Sequence, residues 1–511
     1  MRFTTKRILL SLLLIFTLFS CKDSYLDTQP SSSIGEETAT NNINNFDYIL
    51  NGIHSYNYTE WFSQGYTGEH SLNIVRDLMG EDAINSTTGN GWYIRESRWI
   101  DHRNERSDLS YVPWRFYYRM ILNTNGILSK IDNPDLSGEK AMKDRIKAEA
   151  LTIRAWSHFQ LVQIYGKRYE KDKNNDQLGV IIQNEVDTIS KPRNTVEEVY
   201  KFINDDLDQA ITLFKSSSLN IKNRVNTVTA NGIKARVALT QQKWADAAKY
   251  AEETIALASK QGIILQSGAG LITGFNDMDK NSEWIWAYKQ TDDQNKYFGA
   301  FFAYFSWNFS SSNIRSNPKL INKNLYESMS ATDIRRNWWD PTIVVNGKVT
   351  DSPAFAKAYP RPSNFARIPY NSFKFTAQDI GISNGDMLLM RVAEMYYIAA
   401  EAYAHLGNNS QAQESLYTIM KTRNANYVKS TKIGADLLTE ILNNRRIELW
   451  GEGFRFTDLK RLNLPLDRKA AGNTVSSVSV EMKVDAGDKK WQFLIPKSEI
   501  DSNKKMVQNE L

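Results

Sequence analysis

Two stretches of this chain, 229–255 and 387–420, impose the same constraint: apolar residues at helical spacing, a tight turn, and a second helical run. In the first, Ala230, Ile233, Val237 and Ala238 share one face, and Trp244, Ala247, Ala248, Ala251 and Ile255 answer them. In the second, Leu389, Val392, Ala393, Tyr396, Ala399, Ala400 and Tyr403 run over 387–406 and Gly407 stops them. Ser410 and Gln413 then form a capping-box pattern ahead of Ala412, Leu416, Ile419 and Met420. With Ala and Tyr or Trp at the crossings, each stretch is committed to a closely packed helical hairpin.

Such units look tetratricopeptide-like. They are scattered rather than in tandem, which predicts a mainly α scaffold carrying large, irregular, loop-rich insertions with short strands. Further helices are expected over 42–56 (Phe46, Ile49, Leu50 and Ile53 on one face), 114–131, 140–165 with Gly166 as its stop, and 195–214, capped by Asn194 or Thr195. Between the first two lies 58–111, without clear periodicity and dense in Gly, Asn, Trp and Tyr. Loops of that length are functional or disordered, and the aromatic content argues against disorder. A second aromatic-rich insertion spans 262–386, where Trp284, Trp286 and Tyr288 alternate as in a strand with one buried face.

The start of the chain is an export signal. Arg2, Lys6 and Arg7 precede an apolar run over 8–19 that is too short to span a bilayer, which takes about 20 residues. Ser20 then stands before Cys21, the only cysteine in 511 residues. This resembles a bacterial lipobox, and the resemblance implies cleavage before Cys21, a diacylglyceryl thioether on its sulfur and an acylated amino group, enough chains for stable anchoring. Lys22 and Asp23 resemble the signal that carries lipoproteins of the Bacteroidetes to the cell surface, and 28–45, rich in Ser, Thr and Asn, reads as a solvated tether. Removal of the three basic signal residues takes the formal charge from +5 to +2, which gives no electrostatic case for nucleic acid. Without further cysteine the mature chain has neither disulfides nor cysteine-ligated metal.

The densest pattern is C-terminal, over 437–463. It reads as a helix, a glycine-permitted bend and a second helix held by arginine forks on carboxylates; catalysis is the alternative, and the structural reading is favoured. Arg445, Arg446, Glu448 and Leu449, then Glu452, Gly453 and Arg455, then Asp458, Leu459 and Arg461 resemble the C-terminal signature of the SusD/RagB family of outer-membrane nutrient-binding lipoproteins. Supporting runs are Cys21 with Tyr25, Leu26, Asp27 and Pro30; Arg391, Ala393 and Glu394 with Glu401, Ala402 and Arg423; and Trp491, Phe493, Ile495 and Pro496 with Glu499, Ile500, Asn503, Gln508 and Asn509. Asp333 and Arg335, and 147–166, sit where the family carries similar runs.

The resemblance implies a non-catalytic protein of the outer membrane that captures glycans, or in some members peptides, outside the cell and hands them to a TonB-dependent transporter. It transfers no binding residue, because the family's binding loops vary. Aromatic rings that lie among Gly, Asn or Ser rather than in a periodic apolar run are the candidates: Trp92, Tyr93 and Trp307 first, with Asn85 and Asn90 beside the first pair to bond hydroxyls, then Tyr297, Tyr304 and Trp338. The expected organisation is a signal peptide over 1–20, a lipidated tether over 21–40, a helical N-terminal part over 41–260, the aromatic insertion over 261–386 and a helical C-terminal part over 387–511.

Other chemistry finds little support. Asp172, Asn174 and Asp176 have calcium-loop spacing, but Gln177 and Gln183 stand where the loop needs glycine and a bidentate acid. The five histidines lack zinc-helix spacing, and there is no phosphate-binding glycine loop or serine elbow. No cofactor or metal is therefore expected. A peptide-binding scaffold and a glycoside hydrolase stand as alternatives, the latter because carboxylates abound without any pair singled out.

Overall fold

The computed structural model describes residues 42–59, 61, 63–294 and 296–511. Cys21, the residues around it and nearly all of the expected tether lie outside the described residues.

The chain opens with α1 (Ile43–Ser55), whose first turn is capped by the Asn42 side chain accepting from the Asn44 N–H at 2.9 Å. Next come α2 (Gly68–Leu78), the short strand β1 (Ala83–Asn85), and α3 (Asp108–Leu128), which starts six residues earlier than 114 because Ser107 caps it. The helix α2 falls inside the stretch expected to be irregular. Every one of its residues is buried, so no polar face marks a helical period; its polar side chains are answered internally, Arg76 donating to Glu69 (2.8 Å) and to the Tyr117 hydroxyl (2.7 Å).

α4 (Lys140–Tyr165) occupies the expected range. Gly166 ends it in an extended conformation, where a Cβ would lie 2.8 Å from the Val162 carbonyl oxygen. α5 (Val196–Leu213) carries a full capping box: Glu198 N–H donates to Thr195 Oγ1 and the Glu198 carboxylate accepts from Thr195 N–H. The first hairpin is α6 (Thr227–Thr240) and α7 (Trp244–Lys260).

The insertion supplies β2 (Trp284–Tyr288), β3 (Lys319–Ile321), β4 (Trp339–Asp340), the exposed hairpin β5 (Ile343–Val345) and β6 (Lys348–Thr350), and β7 (Asn371–Ser372). All five residues of β2 are buried, so both faces are covered rather than the expected one. β1, β3, β7 and β4 lie side by side in that order in one small sheet. The second hairpin begins differently from expectation: its first five residues form β8 (Met387–Arg391), antiparallel to β2, and helix starts only at α8 (Val392–His405). Its partner α9 (Asn409–Arg423) starts at Asn409 with no side-chain cap, so the capping box read at Ser410 does not form. α10 (Gly434–Glu448), a bend with Gly451 and Gly453 at positive φ, and α11 (Arg455–Arg461) complete the helix–bend–helix, and the two-stranded β9 (Leu466–Asp467) with β10 (Lys483–Val484) follows.

One core runs through all of this, from Ile43 and Phe46 through Trp284, Phe305 and Trp339 to Ile495 and Met506, so the insertion is packed into the scaffold. Among the described residues no helix is long and apolar enough to cross a membrane.

Candidate functional site

The C-terminal arginines and acids are joints. Glu448 accepts from Arg391 (2.6 Å), Arg423 (2.7 Å) and Arg335 (3.1 Å); Arg391 also forks onto Glu452 and Glu283, Arg423 reaches Glu283, Arg335 holds Asp333 and Lys374 holds Glu452. All eight side chains are at most 7% exposed, four cations against four carboxylates. Burial would raise the Glu448 carboxyl, but Arg423, Arg391 and Arg335 outweigh it and hold it well below the ordinary range. A second group ties Arg445 and Arg461 to Asp458, and Arg461 to Glu401. The cavity beside Arg445, Glu452 and Asp458 is about 50 Å3, room for a few waters. These residues position helices.

The aromatic loops divide into a surface group and an interior group. The turn over 86–91 is pinned to the short helix Ser312–Ser316 and the residue after it: Thr87 N–H and Ser86 Oγ donate to Asn317 Oδ1 at 3.1 and 3.2 Å, and Asn90 Nδ2 donates to Ser312 Oγ at 3.0 Å. This turn delivers Trp92, half-buried, against the backbone of Gly65 and edge-on to Tyr304, with ring centroids 6.3 Å apart. The Trp92 indole N–H has no partner among the described residues. Gln64 links this loop to the next, its Nε2 donating to the Tyr304 hydroxyl (3.2 Å) and to the Phe298 carbonyl (3.1 Å). There a 3-10 turn, Tyr297–Gly299, holds Tyr297 at φ 49° and leaves Tyr297 45% and Phe298 43% exposed, with ring centroids 4.4 Å apart. Trp92 and Asn90 on one loop and Tyr297 and Phe298 on the other are thus linked through Gln64 and Tyr304.

Four of the expected contact residues are interior. Tyr93 is buried beneath Trp92, donating to the Gly65 carbonyl at 2.6 Å and packing 4.9 Å from Tyr304, itself 1% exposed. Asn85 lies buried in β1, accepting from Asn317 Nδ2 at 3.1 Å. Trp338 is 1% exposed, donates to the Leu271 carbonyl at 2.7 Å and lies under the Lys374 ammonium. Tyr93, Tyr304 and Asn85 support these loops from below, and Trp338 belongs to the core near the ionic joint. Trp307 is half-buried in a separate group: its indole donates to Thr376 Oγ1 at 2.9 Å and its ring partners are Tyr359 and Phe373.

Phe298 and Gln64 were not singled out from sequence. The only signal was the run of Tyr297, Phe298 and Gly299 itself, and nothing in the sequence joins Gln64 to it. Flat apolar rings beside an amide suit a ligand that alternates C–H faces with hydroxyls.

The fold is that of solved helical scaffolds of the SusD type. A SusD-like carbohydrate binding protein from Bacteroides vulgatus superimposes with a TM-score of 0.75 at 24% identity, over 91% of this chain and 97% of its own. A SusD superfamily protein from Bacteroides thetaiotaomicron gives 0.75 at 23% identity, over 92% and 100%. The chain belongs to the SusD/RagB family: the SusD family model matches 356–511, and a model described as starch-binding associating with outer membrane matches 24–239. Among relatives, a SusD-like protein of Bacteroides ovatus is 27% identical over 170 residues, which is 33% of this chain and 29% of that protein. SusD-like protein P25 of Formosa agariphila is 23% identical over 506 residues, 90% of each chain.

Proposed function

We propose that this protein is a lipid-anchored, non-catalytic receptor that binds oligosaccharide at the outer-membrane surface through Trp92, Tyr297 and Phe298, with Asn90 bonding hydroxyls, and hands it to a TonB-dependent transporter. The observation that carries the reading is the aromatic face itself. Three rings from two loops about 200 residues apart are held at the surface by Gln64, Asn317 and Ser312, in a chain whose family model is described as starch-binding. Cys21 is the anchor in this reading, and the tether behind it gives the body room to meet a partner barrel.

The test starts from a glycan array with the full chain, followed by calorimetry on the best oligosaccharide. Trp92→Ala is expected to weaken that binding at least tenfold, about 1.4 kcal/mol, and Phe298→Ala to weaken it less. Trp307→Ala is expected to lower thermal stability while leaving affinity within twofold, since its ring is committed to Tyr359 and Phe373. An array with no retained glycan, or release of reducing ends by the purified protein, overturns the reading. Cys21→Ala is expected to move the protein out of the membrane fraction, and the intact lipoprotein to co-purify with a TonB-dependent transporter.

A further inference from the structure

Where α4 ends, a cavity of about 240 Å3 opens between the residues after that helix, the last turn and exit of α11, and the turn over 487–492. It shares no lining residue with the aromatic loops or with the cavity beside Arg445. Asn463, Leu464 and Gly487 at its rim are exposed, so it is open to solvent.

Lys460 of α11, only 7% exposed, lines this cavity. Its ammonium donates to the Gln163 and Gly166 carbonyls at 2.7 and 2.8 Å, which closes the C-terminal end of α4. An ammonium has three donors, and the third has no acceptor among the described residues. No carboxylate among them pairs with Lys460, although Asp458 and Arg461 on the same helix are both paired. Burial without a counter-charge pulls the Lys460 ammonium down to about 7. An anion that reaches such a cation relieves an uncompensated buried charge.

The other cations of the lining are already answered: Lys167 pairs with Glu510 and Arg168 with Glu170, each at 3.1 Å. Asp488 accepts the Lys490 N–H at 2.8 Å with one oxygen, and its second bonds nothing among the described residues. The Gln492 amide donates to the Tyr165 carbonyl at 3.4 Å and its Oε1 is uncommitted there, as is the Asn463 side chain. Trp491 is a fixed wall, its indole N–H donating to the Asp485 carbonyl at 2.8 Å and its ring edge-on to Trp99 at 4.8 Å. Liquid water takes about 30 Å3 per molecule, so the cavity holds far more than a bare inorganic ion. One buried donor with positive charge, several hydroxyl partners and an apolar wall fit a six-membered sugar ring that carries a carboxylate.

We propose that this cavity is a second saccharide site, for a single hexuronate, whose carboxylate takes the third Lys460 donor while Asp488, Asn463 and Gln492 bond its hydroxyls and Trp491 flanks its ring. It rests on the proposed function only in taking the ligand to be a saccharide, and it uses none of the residues of the aromatic loops.

The full chain is titrated calorimetrically with D-galacturonate and D-glucuronate, with their methyl esters as uncharged controls, inorganic phosphate as the bare anion and serine as a zwitterion. The expected result is saturable binding of at least one hexuronate, at least tenfold stronger than its methyl ester. Asn463→Asp sets a carboxylate at the mouth, on an exposed residue whose φ of 54° aspartate tolerates. It is expected to weaken binding at least fivefold at an unchanged melting temperature, whereas Trp92→Ala leaves binding within twofold. Lys460→Met should abolish binding, and if the loss of its bonds to α4 unfolds that variant, Asn463→Asp decides. The proposal is overturned if neither hexuronate binds, if the methyl ester binds as well, if phosphate or serine binds more tightly, if Asn463→Asp leaves the affinity unchanged, or if Trp92→Ala abolishes it. Hexuronate binding with no other glycan retained on the array makes the aromatic-loop reading fall alone.

Discussion

Asn317 shows how one buried amide sets the shape of a surface. It is fully buried, its Oδ1 accepts from Ser86 and Thr87, its Nδ2 donates to Asn85, and its carbonyl accepts from Lys319 Nζ at 2.9 Å. Gly89, at positive φ, passes so close that a Cβ there would sit 3.0 Å from the Asn317 Cβ. Asn317→Ala therefore leaves the Asn85 and Ser86 side chains and the Thr87 N–H without partners, at about 1–3 kcal/mol for each buried group left unsatisfied. The expected outcome is faster amide exchange across 86–91, with exchange in α4 unchanged, and weaker binding at the aromatic face although Asn317 touches no ligand. Equal exchange in that turn would show that it is held by something else. The same residues explain why the candidate face was only partly readable. Trp92 and Tyr93 are neighbours in one polar loop, and sequence ranked them alike; Tyr93, at φ 59°, turns its ring inward onto Gly65 and Tyr304 while Trp92 stays at the surface. Which of two adjacent rings faces water is decided by tertiary partners hundreds of residues away.

At the scale of elements, Glu448 is the last residue of α10 and ties that helix to the end of β8 through Arg391, to α9 through Arg423, and to the 3-10 turn Ile334–Trp338 through Arg335. Glu448→Gln keeps the shape and removes the charge that three buried guanidinium groups face. Breaking a buried ion pair from one side costs about 3–5 kcal/mol, so the urea midpoint at pH 7 is expected to fall accordingly. The sign of its pH dependence is fixed by the depressed carboxyl: the stability it contributes is present above its ordinary value of 4.5 and is lost as pH falls below it. The gap between parent and variant should thus narrow between pH 5 and pH 3, and a gap independent of pH would refute this account. Such joints also mark what sequence shows at this scale. The paired arginines and acids of 445–461 announced a helix, a bend and a helix, and amphipathic or capped helices such as α5 and α7 announced themselves by period. α2 did not, because a helix buried all round has no polar face, and β8 did not, because its apolar residues continue smoothly into those of α8.

At the scale of the whole molecule, the interior holds three neutral histidines at separate places on different elements. His70 in α2 bonds the Leu388 carbonyl at 3.1 Å, and His102 bonds that of Lys490 at 2.9 Å. His158 in α4 is fixed as a neutral ring from both sides, Nδ1 toward the Arg154 carbonyl at 3.0 Å and Nε2 accepting the Gln183 N–H at 3.3 Å. Burial pushes His70 down to about 4 and His102 and His158 down to about 3, against hydrogen bonds to carbonyls that pull the other way. Neighbouring cations add to the depression: Arg103, Lys490 and Lys460 at His102, and Arg154 at His158. In the unfolded chain the same rings take a proton near pH 6.5. A depressed folded value means that the stabilisation is complete above 6.5 and is lost as pH falls from there toward 4. Near pH 5 the three rings give the unfolded state about three more protons than the folded one, and Asp77, whose buried carboxyl is pushed up to about 7, takes back about one, for a net slope of about 3 kcal/mol per pH unit. The urea midpoint is therefore expected to drop between pH 7 and pH 5, and calorimetry near pH 5 should record a net uptake of about two protons on unfolding, the histidine uptake less the proton that Asp77 gives up. His102→Phe, which removes one titrating ring and the bond to Lys490, should lower that uptake by about one even if it lowers stability as well. A proton uptake that His102→Phe leaves unchanged would mean that this ring is not held neutral in the folded core.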